Sequence, residues 1–302
     1  MKFVLRISII LAVLSCVISL QAQPESAFKK YAGNYVTGHE WGGGSIKLDN
    51  NGNFSEGAGS DDGTAISTSG TYRFEKGLLI FSITKKTISR GGGKVYNLLN
   101  PTDLKEWSYG NDTEIDKEFK LLPIEWSGRI YLIYEKDVKN FVNAINLGIE
   151  PRPWLSSDSV VSPWFGSFYL RSGDQRKKVV GRPDLPKEWI AFELSHPVIA
   201  KVVKVISRKQ EKYGLESIAV INKGTNDGLK IGMLLVAKNE VPSSGDTTEI
   251  ISVQKTTATV GTTVYPALKV GDTLSSHYVP SPMLKRMRTL EMQMREKSEN
   301  LK

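Results

Sequence analysis

Thiol and imidazole chemistry are almost missing from this chain. Its 302 residues hold one cysteine and three histidines. Cys16 lies inside an apolar N-terminal run, so a chain cut after that run has neither a disulfide nor a thiol nucleophile. His39, His196 and His277 stand far apart, and none has a partner ligand at the short spacing of a zinc site. His39-Glu40 lacks the second histidine of a zinc-protease helix. No Gly-x-Ser-x-Gly elbow occurs. Gly42–Gly44 and Gly91–Gly93 lack the Lys-Ser/Thr that completes a phosphate loop, and read as flexible connections. Ser252-Val-Gln-Lys255 has a Ser-x-x-Lys spacing, but in a β-rich stretch and without a Lys-Thr-Gly partner, so it reads as chance. Asp49, Asn51 and Asn53 alternate as in a calcium loop, yet Phe54 stands where that loop needs glycine; a hairpin turn accounts for them. Glu125 and Glu193 are carboxylates without distinguishing context. No catalytic residue, metal or cofactor is assigned on this basis. The formal charge is +8, but the lysines are spread along the chain without a nucleic-acid-binding motif, which argues against a nucleic-acid partner.

What is present begins at the N-terminus. Met1-Lys2 and Arg6 precede an apolar run from Ile7 to Leu20, and Ala22 offers a small residue for cleavage. This predicts a secretory signal peptide over 1–22 and an exported protein, periplasmic or secreted. The run is short and followed at once by polar residues, so the mature chain is expected to have no transmembrane span. Lipidation at Cys16 is the second choice, because Val13-Leu14-Ser15 matches a lipobox poorly and Val17-Ile18 is apolar.

The remainder reads as mainly β. Between residues 23 and 150, short runs such as Ser45–Leu48, Asn53–Ser55 and Leu78–Ile83 alternate with Asn- and Gly-bearing turns, as in an antiparallel meander. Val138, Phe141, Val142 and Ile145 fall at helical spacing, with Asp137 to cap the helix and Gly148 to end it. Residues 151–197 read as a linker with one aromatic strand around Trp164–Leu170. Residues 198–279 carry short Ile/Val/Thr strands with frequent turns, as in a small barrel. Met283, Met287, Leu290 and Met294 form an apolar seam on a charged C-terminal helix over 280–302.

Two resemblances attach to particular residues. Asn222, Gly224, Asp227, Gly228, Gly232, Gly271 and Asp272 resemble the turn pattern in the small C-terminal barrel of the flagellar assembly protein T family and other envelope barrels. All are turn-formers, so the resemblance implies a fold and no function. The order Gly-x-Tyr at Gly33–Tyr35, the Asp49–Phe54 turn and Gly70-Thr-Tyr72 resembles lipocalin-like, or calycin, meanders of exported bacterial proteins. That resemblance implies a barrel whose mouth can hold an apolar ligand.

The expectation is therefore an exported, non-catalytic binding or assembly protein of the bacterial cell envelope. One alternative is a carrier or sensor of a small apolar ligand, contacted by Trp41, Phe54, Tyr72 and Phe81. Another is an envelope hydrolase whose site is assembled by folding. Arg171, Arg176, Lys177 and Lys178 form a basic tip that could contact an anion. Met283, Met287, Leu290 and Met294 are the candidate interface, for an envelope protein or a second copy.

Overall fold

A computed structural model describes residues 25–39, 42–108, 115–151, 168–211, 214–237, 247–262 and 267–278. Residues 1–24, which include the stretch read as a signal peptide, Trp41 and the Met-bearing segment 280–302 lie outside them. The chain is mainly β, as two antiparallel barrels with a few short helices.

The first barrel follows a helix α1 (Glu25–Tyr31). Its wall takes β1 (Gly33–His39), β2 (Gly42–Leu48), β3 (Asn53–Ser60), β4 (Thr64–Glu75), β5 (Leu78–Arg90), β7 (Glu118–Trp126), β8 (Arg129–Tyr134) and β9 (Phe168–Arg171) in that order, and β9 returns to β1. A two-residue β6 (Tyr96–Asn97) adds to β5, and α2 (Pro101–Trp107) follows it. The turns form for local reasons. Asp49 Oδ1 accepts from the N–H groups of Asn51 and Asn53, both at 2.8 Å, which folds the β2–β3 hairpin. Asn100 caps α2 by accepting from Thr102 N–H at 2.9 Å, with Pro101 in the first turn.

Two sequence expectations are revised here. Residues 42–44 are strand rather than flexible connection: Gly44 lies in β2 opposite Ala58, where a Cβ would sit 2.9 Å from the Gly57 carbonyl. Helix α1 buries Tyr31 and half-buries Phe28. The stretch 151–197, read as a linker with one aromatic strand around Trp164–Leu170, supplies at Phe168–Arg171 the strand β9 that closes the barrel wall. Without β9, β1 and β8 would both be open edges.

The second barrel uses β10 (Ile199–Glu211), β11 (Gly214–Ile221), β12 (Leu234–Ala237), β13 (Thr247–Val253), β14 (Ala258–Thr262) and β15 (Thr273–Ser275), closed in the order β10-β11-β14-β13-β12-β15. Its turn residues do what their chemistry suits. Asn222 Oδ1 accepts from Lys201 N–H at 2.7 Å, and Asp272 Oδ2 from Lys269 N–H at 2.7 Å. A Cβ at Gly224 would lie 2.2 Å from the Gln254 carbonyl, so only glycine fits that loop. Register shifts at Val203 and Ile206 in β10, and at Ile251 in β13, are β-bulges that leave these three apolar side chains outside and exposed.

Helix α3 (Val138–Asn146) joins the barrels. Val138, Phe141 and Val142 bury against Ile124, Tyr131, Ile133 and Leu170 on the outer wall of the first barrel. Ala144 and Leu147 bury against Val236 and Tyr278 of the second. Asn143, 1% exposed, donates to the Gly232 carbonyl at 3.0 Å and accepts from Leu234 N–H at 3.2 Å. Asn146 bonds the Phe192 carbonyl and Leu194 N–H. Among the described residues no helix is long and apolar enough to cross a membrane.

Candidate functional site: the mouth of the first barrel

One end of the first barrel is stopped by its own N-terminal segment. Phe28 of α1 meets Tyr72 edge-on at 5.3 Å, and Tyr31 meets Phe74 at 5.4 Å. Tyr35 donates its O–H to the Tyr31 carbonyl at 2.7 Å. Further in, rings fill the lumen. Phe81 stacks on Phe119 at 4.5 Å, meets Phe54 edge-on at 5.1 Å and stacks on Tyr72 at 5.9 Å. The structure thus brings Phe54, Tyr72 and Phe81 together, buried against one another as the barrel's packed core. Burial, with the Asp49 charge nearby, pushes the Tyr72 phenol up to about 12, and its O–H donates to the Asp49 carbonyl at 2.6 Å.

The next layer is polar. Alternation along β3 puts Glu56 on the same inner face as Phe54. Strands β3 and β9 are separated by β1 and β2, so the Tyr169 O–H that donates to Glu56 Oε1 at 2.6 Å crosses the lumen. Burial first, then the neighbouring Tyr134 and Glu56, hold the Tyr169 phenol well above the usual tyrosine range. It therefore stays a proton donor at neutral pH. The Tyr134 ring lies 6.5 Å from Tyr169 and 6.2 Å from Phe119. Thr68, 2% exposed, is registered opposite Glu56.

Beyond this layer the inner wall carries small side chains. Thr37 faces Gly44, and Gly44 faces Ala58, across the β1–β2–β3 wall. On the other side, Ile66 and Ile88 pack under Leu98 and Leu104, so α2 covers part of the opening. The inner face of the barrel thus carries packed rings, then the partly exposed Glu56 carboxylate with Thr68 and Lys86 in register beside it, then small Gly, Ala and Thr residues on β1 to β3.

The other sequence candidates are placed differently. Arg171 Nε and Lys177 Nζ converge on Asp174, at 3.0 and 2.6 Å, and Ile130 N–H adds a bond at 3.0 Å. Burial works against the Asp174 charge, but these partners outweigh it and lower its pKa. Arg129, 2% exposed, bonds Glu150 and the Lys177 carbonyl beside it. The basic tip is thus in part a clamp on the outer wall, while Arg176 and Lys178 remain exposed. The sequence signal for the clamp was Asp174, in the middle of the cations. Glu125 pairs with Lys30, and Glu193 with Arg182 at 3.3 Å. Ser195 Oγ lies 2.8 Å from His196 Nδ1, but both are exposed, and the neighbouring Asp227 carboxylate bonds Lys223 and Gly224 N–H instead. Among the described residues no three His, Cys, Asp or Glu side chains converge as metal ligands. The Met283, Met287, Leu290 and Met294 seam and Trp41 fall outside the described residues.

Sequence reasoning missed Glu56, Tyr169 and Tyr134. The available signal was parity: Glu56 stands two residues from Phe54 in a strand whose even positions turn inward. Comparison of the chain with protein-family models, with curated proteins and with solved structures found no match.

Proposed function

We propose that this chain is an exported, non-catalytic binding protein of the bacterial cell envelope whose first barrel is the receptor. The observation that carries this is the Tyr169–Glu56 bond across the lumen. A polar pair inside a barrel is unfavourable relative to apolar packing, so its retention suits a recognition role. The inner wall beyond it carries the small residues Gly44 and Ala58, while the core below is packed with rings. The second barrel and α3 hold this receptor on a fixed mount. The test is native mass spectrometry of the protein taken from its own host's envelope fraction. A stoichiometric extra mass of a few hundred daltons, lost in Ala58→Leu, is the expected result. A bare chain, or an adduct retained in Ala58→Leu, would count against the reading.

A second reading, assembly, has its own observation. Val203, Ile206 and Ile251 expose roughly half their surface on the outer wall of the second barrel. If assembly is the role, deleting 283–302 or placing Asp at Ile206 lowers the particle mass in sedimentation. An unchanged mass in both would remove this reading.

A further inference from the structure

We propose that the outer wall of the second barrel docks on an anionic lipid surface, with Val203, Ile206 and Ile251 entering the interface and the neighbouring lysines meeting its phosphates. This is independent of any ligand in the first barrel.

The three apolar side chains belong to one face. In β10 the bulges at Val203 and Ile206 flank Lys204 and Ser207, whose ladder partners are Val220 and Ile218 of β11. Val220 and Ile218 are the half-buried outward residues of β11, alternating with the buried Ser217, Ala219 and Ile221. They register in turn with Thr259 and Gly261 of β14. Gly261 pairs with Glu249 of β13, and a Cβ on it would lie 3.6 Å from the Ile251 Cγ2. The apolar surface thus runs across β10, β11, β14 and β13. It lies away from the first barrel, because α3 packs at Val236 of β12 and β11 stands opposite β12 around the ring.

The same three side chains carry the assembly reading, and the charges around them decide between the occupants. Lys201, Lys204 and Lys255 are exposed, and among the described residues no carboxylate lies within ion-pair distance of them. The two acids on this face stand against cations. Glu216 is registered opposite Lys209, and Glu249 bonds Lys139 at 2.9 Å. A second copy related by a two-fold axis would set the free lysines against their own kind. Residues 280–302 fit no better, with six Lys and Arg against three Glu. A phospholipid surface supplies the opposite charge, with an apolar layer beneath it. A barrel wall curves outward, so short apolar side chains lead and long lysines reach back to the head groups.

The test is co-sedimentation of the chain from residue 23 with vesicles of mixed phosphatidylethanolamine and phosphatidylglycerol, and with vesicles of phosphatidylcholine alone. Saturable binding to the anionic vesicles is expected, weakening as salt is added, with none to the neutral ones. Val203→Ser with Ile206→Ser should weaken it about tenfold or more, because two apolar side chains then stay in water. The melting temperature should hold, since both are already half exposed. Lys201→Gln with Lys204→Gln keeps the apolar face, and should weaken binding and flatten its salt dependence. Cys16 is the one cysteine, so a chain lacking 1–22 can carry a polarity-sensitive dye at Ile251→Cys alone. That dye should shift to the blue on anionic vesicles, and the same dye at Ser67→Cys, exposed on the first barrel, should not. No binding to anionic vesicles, equal binding to neutral ones, binding unchanged in either double variant, or an unshifted dye at Ile251→Cys would each overturn the proposal. So would a multimer that Ile206→Asp breaks up in the absence of lipid, which would give the face to a second copy.

Discussion

At the scale of single residues, the clamp on the outer wall of the first barrel turns on Asp174. It holds Arg171, Lys177 and the Ile130 N–H while only 4% exposed. Asp174→Asn should destabilise the fold by about 3–5 kcal/mol at pH 7, the usual cost of breaking a buried, hydrogen-bonded ion pair. The sign of the pH dependence follows from the lowered pKa. The carboxylate's contribution is complete above its unfolded value, near 3.8, and is lost as pH falls through the folded one. Urea denaturation at pH 7 and at pH 3 should therefore show the difference between wild type and variant shrinking in acid. A constant difference would mean that Asp174 acts through packing. Residue-level legibility followed distance along the chain. Asp49, Gly224 and Asp272 act on neighbours a few positions away, so their turn chemistry could be read directly. Tyr169 and Glu56 are 113 positions apart, and nothing local announces the bond.

At the scale of elements, α3 shows where a periodic pattern succeeds and where it stops. Val138, Phe141, Val142 and Ile145 give the helix and one buried face, and the structure has both. Asn143 and Asn146 look like its solvent side, yet both are buried against backbone of the second barrel and its approach. A polar residue that satisfies a partner's main chain is indistinguishable in sequence from one facing water. Asn143→Leu should leave the Gly232 carbonyl and Leu234 N–H unpaired at a cost of about 2 kcal/mol or more. Calorimetry should show the two barrels melting in separate transitions in the variant and closer together in the wild type. Coincident, equally shifted transitions would show that α3 merely packs. The strands were legible from alternation, and β9 overlaps the aromatic strand read around Trp164–Leu170, but its pairing with both β1 and β8 was not legible.

At the scale of the whole molecule, two closed barrels share one helix, and the mainly β architecture was the most legible feature of the sequence. What sequence could not supply was closure, since alternation fixes which residues face inward but not which strand meets the first. The closing strand lies beyond α3, so a fragment spanning 25–150 keeps β1 and β8 as bare edges. Light scattering should find that fragment in large species, and a fragment spanning 25–195 as single particles. A monodisperse short fragment would show that the ring is dispensable. The same late closure bears on synthesis. A chain made N-terminus first delivers β1 early, and β1 then waits, half paired, until residues 168–171 arrive. Emergence is slow compared with strand collapse, so the first barrel spends its infancy as an open, adhesive sheet. Whatever surrounds the growing chain therefore has to shield that edge until the last four residues of the ring are through.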